Sequence, residues 1–252
     1  MKTSLLLKVI VISIITTVIS NYSYSQIRYG IKAGYNLSTT IHKTLSEGDY
    51  IDYEKADLKS ISGFHSGGML QIDFGKYIAF QPAILLTTRG YKAEEKSLKT
   101  TSLNYYVNIP LNVIGKYSFN DITVFGFVGP SLYYGFAGKT KMTYYTSTGE
   151  MLSTTYYKTF RHNDVDDFGN YEVNSHDSFK RFDLGLDMGI GAEFIGNLQV
   201  CLHYDLGLLN IDRSKYITTP PAISKQGNFM VSVGWLFNKK EKQGEKTAIP
   251  EL

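Results

Sequence analysis

The most regular feature of the chain is an alternation of apolar and polar residues over segments of ten or more residues. From Phe182 to Phe194, every second residue is apolar, and the residues between them are charged or glycine. Segments beginning near Leu198 and Asn228 repeat the pattern. Because successive side chains of a strand point to opposite faces, this period of two predicts β-strands with one apolar and one polar face.

The same alternation recurs in earlier segments and brings the number of predicted strands to eight. Segment 122–136 is apolar on both faces, so its pattern does not assign its facing. Each predicted strand supplies the roughly ten residues that a tilted strand needs to cross a membrane. The predicted strands are 27–38, 62–74, 77–91, 102–117, 122–136, 180–195, 198–209 and 227–238.

The connections between these strands alternate strictly between short and long. Short periplasmic turns and longer extracellular loops are typical of bacterial outer-membrane barrels. The chain therefore predicts an all-β fold, an eight-stranded antiparallel up-and-down transmembrane β-barrel, with both termini on the periplasmic side. The short turns are Gly75-Lys76, 118–121 and Gly196-Asn197, and the longer links are 39–61, 92–101, 137–179 and 210–226.

Alternation also fits a water-soluble barrel such as a lipocalin, whose apolar face points inward. Glycines and residues of both charge signs share one face of the predicted strands. A narrow barrel interior needs small residues for space, and charges buried there need partners of the opposite sign. Aromatic residues gather at strand ends, as in the girdles of membrane barrels. We therefore expect the apolar face to meet lipid. The expected interior charges are Arg28, Lys32, Arg89, Lys116 and Arg181 with Asp73, Asp183, Asp187, Glu193 and Asp205.

Composition agrees with a strand-rich protein. The 252 residues include 20 Tyr, 14 Phe and 23 Gly but only 6 Pro. The mean hydropathy of −0.15 disfavours a helical membrane protein but suits a barrel, in which only alternate residues are apolar. A formal charge of +3 is too small for a nucleic-acid-binding face. The single cysteine, Cys201, excludes an internal disulfide framework.

The N-terminus has the three-part pattern of a secretory signal peptide. Lys2 and Lys8 precede an apolar run over 9–19, and Ser23 and Ser25 supply the small residues before Gln26. The run is about half the ~20 residues of a spanning helix. The predicted organisation is 1–25 signal peptide, 26–238 outer-membrane β-barrel domain and 239–252 polar periplasmic tail.

Several segments resemble the PorT-like outer-membrane β-barrel proteins of Bacteroidetes, and the resemblance spans nearly the whole mature chain. It implies a barrel in the cell outer membrane of a Gram-negative bacterium and says little about activity, because most of that family is of unknown function. PorT itself is associated with type IX secretion and gliding. The segments are GIKAGYNLS at 30–38, YVNIPL at 106–111, GPSLYYG at 129–135 and FDLGLDMGIGAEF at 182–194.

One trio of residues invites a catalytic interpretation. His203 and Asp205 lie two residues apart on the polar face of one predicted strand, and strand pairing brings Ser232 near them. A Ser, a His and a carboxylate together can carry out acyl transfer. Strand neighbours two apart produce such trios easily, so we favour a network of polar interior fillers. The prediction is no catalytic residue, no cofactor-binding residue and no metal ligand.

Two features fall in the longest link, 137–179. Segment 163–172 clusters carboxylates around a glycine, and calcium binds such oxygen ligands, but the spacing does not match an EF-hand loop. The rest of the link is rich in Tyr and Thr, which suits a hairpin that prolongs the fifth and sixth strands. Amphipathic aromatic side chains also suit a protein or glycan partner. The calcium question stays open at this level.

We therefore expect a non-enzymatic outer-membrane barrel with a structural role or a surface-binding role through its extracellular loops. Its partners would be outer-membrane lipid, the barrel assembly machinery during insertion, and a protein or glycan at 137–179. The alternatives are an accessory component of a type IX secretion or gliding machinery, and a barrel enzyme acting on lipid or peptide. A transport pore ranks last, because eight strands leave little lumen.

Overall fold

The chain folds into a closed antiparallel β-barrel. A computed structural model describes residues 26–45, 53–55, 58–94, 97–160, 179–195, 197–212 and 223–237. The predicted signal peptide at 1–25, the acidic segment at 163–172 and the tail at 239–252 lie outside the described residues. The described part of the chain contains no helix that is long and apolar enough to span a membrane.

Eight long strands form the ring, and each pairs with its two neighbours. The ring closes where the first strand pairs antiparallel with the last, with Tyr29 opposite Phe237 and Lys43 opposite Ile223. The ring strands are β1 (Gln26–Leu45), β4 (Ile61–Phe74), β5 (Ile78–Glu94), β6 (Leu98–Phe119), β7 (Ile122–Tyr145), β9 (Phe182–Phe194), β10 (Leu198–Gly207) and β11 (Ile223–Phe237). The predicted eight-stranded up-and-down topology is confirmed.

Three short strands extend the ring beyond one of its ends. They are β2 (Tyr53–Lys55), which pairs with β1, β3 (Leu58–Lys59), which pairs with β5, and β8 (Met151–Lys158), which pairs with β7. The ring strands β1, β6 and β7 also run past the predicted ends at 38, 102 and 136, because backbone pairing continues after the apolar alternation stops. We call the end that carries these extensions the outer end.

A hairpin does prolong the fifth strand, as the Thr- and Tyr-rich sequence suggests, but its returning strand differs from the prediction. β7 pairs with the sixth ring strand β9 only from Ile122 to Tyr134, and its extension from Lys139 to Tyr145 pairs with β8. The hairpin turn is closed by Thr146 N donating to Glu150 O at 2.8 Å, with Gly149 at φ +87°. The predicted link 137–179 therefore contains the end of β7 and all of β8.

The opposite end carries the tight turns. Gly75, at φ +79°, begins the turn between β4 and β5, and Asn120, at φ +48°, lies in the turn between β6 and β7. β1 starts and β11 finishes at this same end. The predicted long link 92–101 is wrong, because β5 runs to Glu94 and β6 begins at Leu98, with Lys92 paired to Thr101. The strict alternation of short turns with longer connections therefore fails between these two strands, whose pairing continues past the apolar alternation.

Burial settles which face points inward. The apolar residues of the alternating segments lie on the outside, where Ile84 and Ile190 are 64% and 65% exposed. The polar residues are buried inside, where Asn36 and Asp205 are 0% exposed. An exposed apolar band around a buried polar interior is the reverse of a water-soluble barrel and the arrangement of a membrane barrel.

The facing of strand β7, which its sequence leaves unassigned, is decided by packing. Phe125 and Phe127 point into the barrel and pack in a buried cluster with Ala79, Ile114 and Cys201. The even-numbered residues from Ile122 to Phe136, such as Val128, face outward, and a register shift beside Tyr105 moves the odd-numbered residues to the outside beyond that point. The interior is therefore not uniformly polar, and we call this group of five residues the inner apolar cluster.

Candidate functional site

The barrel interior is stacked in layers, and the most strongly held layer surrounds Arg89 of β5. Arg89 is completely buried, and its guanidinium donates to Asp183 Oδ2 at 3.1 Å and to Asp205 Oδ1 at 2.5 Å. The Tyr133 hydroxyl donates to Asp205 Oδ2 at 2.6 Å, and its ring lies 3.3 Å from the guanidinium carbon. These charges have no water to solvate them, so their pairing is what makes burial tolerable.

The glycines on the same face give the charges room. Gly185 of β9 lies beside Asp205, and a Cβ built on it would come within 2.5 Å of Asp205 Oδ1. The small residue that the sequence repeats between acidic ones is therefore a steric requirement of the ion pairs.

An aromatic cap lies between this layer and the outer end. Phe160, just after β8, is buried against Tyr106, Tyr133, Phe179 and Ile211, and this group of five is called the outer cap. The Phe160 and Tyr106 rings meet edge-on with centroids 5.5 Å apart. The chain beyond the β7–β8 hairpin thus turns back into the mouth of the barrel and covers it.

A chain of hydrogen bonds crosses the lumen below the Arg89 layer. Asn36 Oδ1 lies 2.5 Å from His65 Nδ1, His65 Nε2 lies 2.8 Å from Ser232 Oγ, and Ser232 Oγ lies 2.7 Å from His203 Nε2. The chain ends where His203 Nδ1 lies 2.9 Å from Asp187 Oδ1. Five side chains from five strands are joined, and we call them the histidine chain.

The trio of His203, Asp205 and Ser232 that the sequence suggests is only partly assembled. His203 and Ser232 are in contact, as strand pairing suggests, but the carboxylate beside His203 is Asp187 of β9, not Asp205. Asp205 belongs to Arg89 instead. In the register of β9 and β10, Gly189 lies opposite His203, and Asp187 lies opposite Asp205. Asp187 therefore reaches His203 diagonally across the two strands, a contact that spacing along one strand does not reveal.

The hydrogen count of this chain constrains its chemistry. The Asn36 amide nitrogen donates to Phe64 O at 3.1 Å and Thr88 O at 3.2 Å, so the amide oxygen is the group that accepts from His65. Each neutral imidazole supplies one N–H hydrogen and Ser232 supplies one O–H hydrogen, which makes three. The chain has four contacts, and the groups at its two ends, the Asn36 amide oxygen and the Asp187 carboxylate, can only accept. A fourth hydrogen completes the chain. That hydrogen lies between His203 Nδ1 and Asp187 Oδ1, and His203 Nε2 then donates to Ser232, which donates to His65.

The balance of interior charges is consistent with that count. Along the described inward faces of the ring strands, four cationic side chains meet five carboxylates, and one further hydrogen makes the totals equal. These residues are Arg28, Lys32, Arg89 and Lys116 with Asp73, Asp183, Asp187, Glu193 and Asp205.

A second ionic layer lies near the turn-bearing end. Arg28 donates to Glu193 Oε1 at 2.6 Å and lies 3.4 Å from Asp73, which also pairs with Lys116 at 2.5 Å. Gln199 Nε2 extends the network by donating to Glu193 Oε2 at 2.9 Å. Two of the predicted interior cations have other partners than a carboxylate: Lys32 donates to Gln81 Oε1 at 3.3 Å, and Arg181 at the mouth donates to the Phe160 carbonyl at 2.6 Å.

Ser232 is oriented but not placed for catalysis. The hydroxyl is 0% exposed and lies between two imidazole rings, which occupy the space that a reacting carbonyl would need. A general base must also accept the serine hydrogen. In the complete chain of hydrogen bonds, His203 Nε2 donates to Ser232 instead. We therefore interpret Ser232, His203 and Asp187 as part of the interior packing, although an acyl-transfer site is built from the same residue types.

No metal site is found within the described ranges, where no three His, Cys, Asp or Glu side chains are grouped to hold an ion. Cys201 is free and buried in the inner apolar cluster. The calcium question concerns 163–172 and lies outside the described residues. Sequence reasoning missed His65 and Phe160 as members of the interior network, and it missed Asp187, an expected interior charge, as the partner of His203. These contacts join side chains from different strands or loops, which the alternation along one strand does not show.

Comparison with known proteins gives one family. The model described as "Outer membrane protein beta-barrel domain" matches residues 20–213. No curated protein matches the chain. Among solved structures, OprG from Pseudomonas aeruginosa is similar, with 8% identity and a TM-score of 0.43 over 86% of this chain and 98% of that one.

A second similar structure is Ail, the attachment invasion locus protein of Yersinia pestis, solved in complex with the heparin analogue sucrose octasulfate. It has 15% identity and a TM-score of 0.38 over 84% of this chain and 99% of Ail.

Proposed function

Since the chain belongs to the outer membrane protein beta-barrel domain family and thus lies in the outer membrane, we propose that it is a closed barrel that acts as a structural or surface-binding protein. The observation that carries the proposal is the filled lumen. Arg89 and its two carboxylates cross the barrel at full burial, and the outer cap covers them. Such an interior leaves solutes no path through the lumen, so we assign the function to the exposed surface of the barrel.

The outer end is the part of the exposed surface that we expect to contact a partner. β6 and β7 extend past the apolar band, and β8 adds a third strand to their sheet. The turn-bearing end offers only two- to three-residue connections at Gly75 and Asn120. We propose that the outer end is extracellular, that both termini are periplasmic, and that a protein or glycan partner binds at 137–179.

Surface labelling tests this orientation. An epitope inserted beside Gly149, at the tip of the β7–β8 hairpin, is expected to bind antibody on intact cells. The same epitope beside Asn120, in the tight turn between β6 and β7, is the matched control and is expected to bind only after the outer membrane is permeabilised. The reverse pattern would show that the hairpin faces the periplasm and would overturn a surface-binding role.

A barrel enzyme acting on lipid or peptide is the second candidate, and the contacts among Ser232, His203 and Asp187 favour it. A fluorophosphonate probe separates the two candidates. We expect no labelling of Ser232 in the folded barrel, because its hydroxyl is buried between two imidazoles. Stoichiometric labelling that the Ser232→Ala variant abolishes would establish the enzyme instead.

Two finer assignments rest on the sequence alone. We propose a PorT-like relationship from segments 30–38, 106–111, 129–135 and 182–194; co-purification with secretion-machine components would support an accessory role in secretion. We also propose that 1–25 is a cleaved signal peptide. N-terminal sequencing of the mature protein should then begin at Gln26.

A further inference from the structure

The outward face of the outer extension carries a group of lysines that lacks acidic partners. Lys139 of β7 lies directly opposite Lys158 of β8, and Lys141 lies two residues further along the same face. All three side chains are exposed. Lys92 of β5 lies in the same cross-strand row as Lys141, on the other side of Thr101. We call these four residues the lysine face.

This arrangement costs free energy in the isolated protein. Like charges directly opposite each other on neighbouring strands are destabilising. In the described part of the chain, none of the four lysines forms an ion pair. The nearby carboxylate, Glu94, is already engaged by Lys59 at 2.6 Å and Lys99 at 2.7 Å. An external anion on the lysine face would remove the repulsion.

The position of the lysine face along the membrane normal, relative to the apolar band, indicates which anion it would bind. Outward residues of β7 form an apolar band from Ile122 to Phe136, which at ~3.3 Å per residue and a tilt of ~45° spans about 33 Å, close to the thickness of a hydrocarbon core. Phe136 and Tyr105 end the band, with ring centroids 6.4 Å apart. Lys139 comes three residues later, about 7 Å further along the membrane normal by the same geometry.

That height is the headgroup layer, which is roughly 5–7 Å thick on each side of the core. The side chains also project sideways from the barrel wall, on the same face as Tyr105 and Leu103, and so lie over neighbouring lipids. Resting on the proposed outward orientation, we propose that the lysine face binds the phosphate groups of lipid headgroups in the outer leaflet and so makes anionic lipid the surface partner of this barrel.

Electron spin resonance on reconstituted vesicles tests the proposal. The full-length mature barrel is placed in phosphatidylcholine vesicles with trace spin-labelled phosphatidic acid or spin-labelled phosphatidylcholine. The ratio of the two association constants measures the preference for a phosphate headgroup. Each surface lysine contributes about 1 kcal/mol, or about fivefold. We expect Lys139→Gln/Lys158→Gln to reduce the preference at least fivefold.

Lys76→Gln, compared with Lys139→Gln, is the matched control, because each removes one exposed lysine and Lys76 lies in the turn between β4 and β5 at the opposite end. It should leave the preference unchanged. All variants must keep the heat-modifiable gel migration of the folded barrel. Equal association constants in the wild type, or an undiminished preference in Lys139→Gln/Lys158→Gln, would overturn the proposal.

Inorganic phosphate, added at constant ionic strength, distinguishes a lipid from a free anion. We expect the lipid preference to persist, because a headgroup held in the membrane plane has a high local concentration. Loss of the preference at millimolar phosphate would show a site for soluble anions instead. Neither a missing lipid preference nor competition by phosphate changes which epitope, at Gly149 or at Asn120, binds antibody on intact cells. Failure of this proposal is therefore distinguishable from failure of the proposed function.

Discussion

At the scale of single residues, the interior is organised by a few charged side chains whose partners come from other strands. Arg89 satisfies Asp183 and Asp205 at once, and the histidine chain joins β1, β4, β9, β10 and β11 across the lumen. Each contact is short and fully buried. Removing one member leaves the others unpaired, which costs far more than the pair contributes when intact.

Replacing Arg89 should therefore be among the most damaging single changes. Arg89→Met leaves two buried carboxylates without a counter-charge, and the expected loss is about 3–5 kcal/mol. Urea unfolding in detergent micelles, read by heat-modifiable migration, measures it. Arg89→Met combined with Asp183→Asn and Asp205→Asn should recover most of the loss. Equal unfolding midpoints for Arg89→Met and the wild type would contradict the role of the ion pairs.

The hydrogen count makes a spectroscopic prediction for the histidine chain. ¹⁵N NMR of the folded barrel should show a proton on Nε2 of His203, and a proton on Nδ1 but not on Nε2 of His65. Ser232→Ala removes the hydroxyl between the rings and should change the signals of both Nε2 atoms. A wild-type His203 without a proton on Nε2 would contradict this order of donors.

At the scale of elements, the outer extension is held by backbone pairing and by surface ion pairs rather than by a core. Lys59 of β3 and Lys99 of β6 both contact Glu94 at the end of β5. Hydrogen bonds from these ammonium groups, with their charges, lower the pKa of Glu94 from 4.5 to about 2. One exposed carboxylate thus ties a short strand and a long strand to β5.

The lowered pKa gives this tie a defined pH dependence. A carboxyl group whose pKa is lower in the folded than in the unfolded state stabilises the folded state at pH values above its unfolded-state pKa. This stabilisation is lost as the pH falls through the folded-state pKa. We expect pairing of β3 with β5 to weaken between about pH 4.5 and pH 2. Carboxyl ¹³C NMR should show the late Glu94 titration, and Lys59→Gln/Lys99→Gln should move it back towards 4.5. A Glu94 that titrates normally in the wild type would disprove the tie.

At the scale of the whole molecule, lumen and surface have separate roles. The interior is sealed by the outer cap, the Arg89 layer, the histidine chain and the inner apolar cluster. The exposed surface divides into an apolar band for lipid and an outer sheet that bears lysines and aromatic residues. Sealing the lumen in several independent layers means that no single layer controls passage.

Planar-bilayer recordings test the sealed interior. We expect no single-channel steps from the wild type, with a wide porin as the positive control. Phe160→Ala should also stay silent, because it opens only the outer cap and leaves the Arg89 layer beneath it. Discrete conductance steps from the folded wild-type barrel would contradict a closed interior and restore the transport pore as a candidate.

The fold was largely predictable from the sequence. Strand number, antiparallel topology and the facing of most strands follow from a period of two, which is a local property of the backbone. β7 was the exception in facing, because an apolar pattern on both sides carries no directional signal until Phe125 and Phe127 are packed. The strand ends beyond 38 and 136 were also missed, since backbone pairing there continues without apolar alternation.

The sequence by itself determined a barrel with an apolar outside and a polar, paired inside. Only the tertiary structure decided which polar groups meet, because partners such as Arg89 and Asp205 are 116 residues apart and are set by the height of each strand in the ring. It alone placed Asp187 rather than Asp205 beside His203, and Phe160 in the mouth. Alternation fixes the face of a side chain, whereas register and closure fix its neighbours.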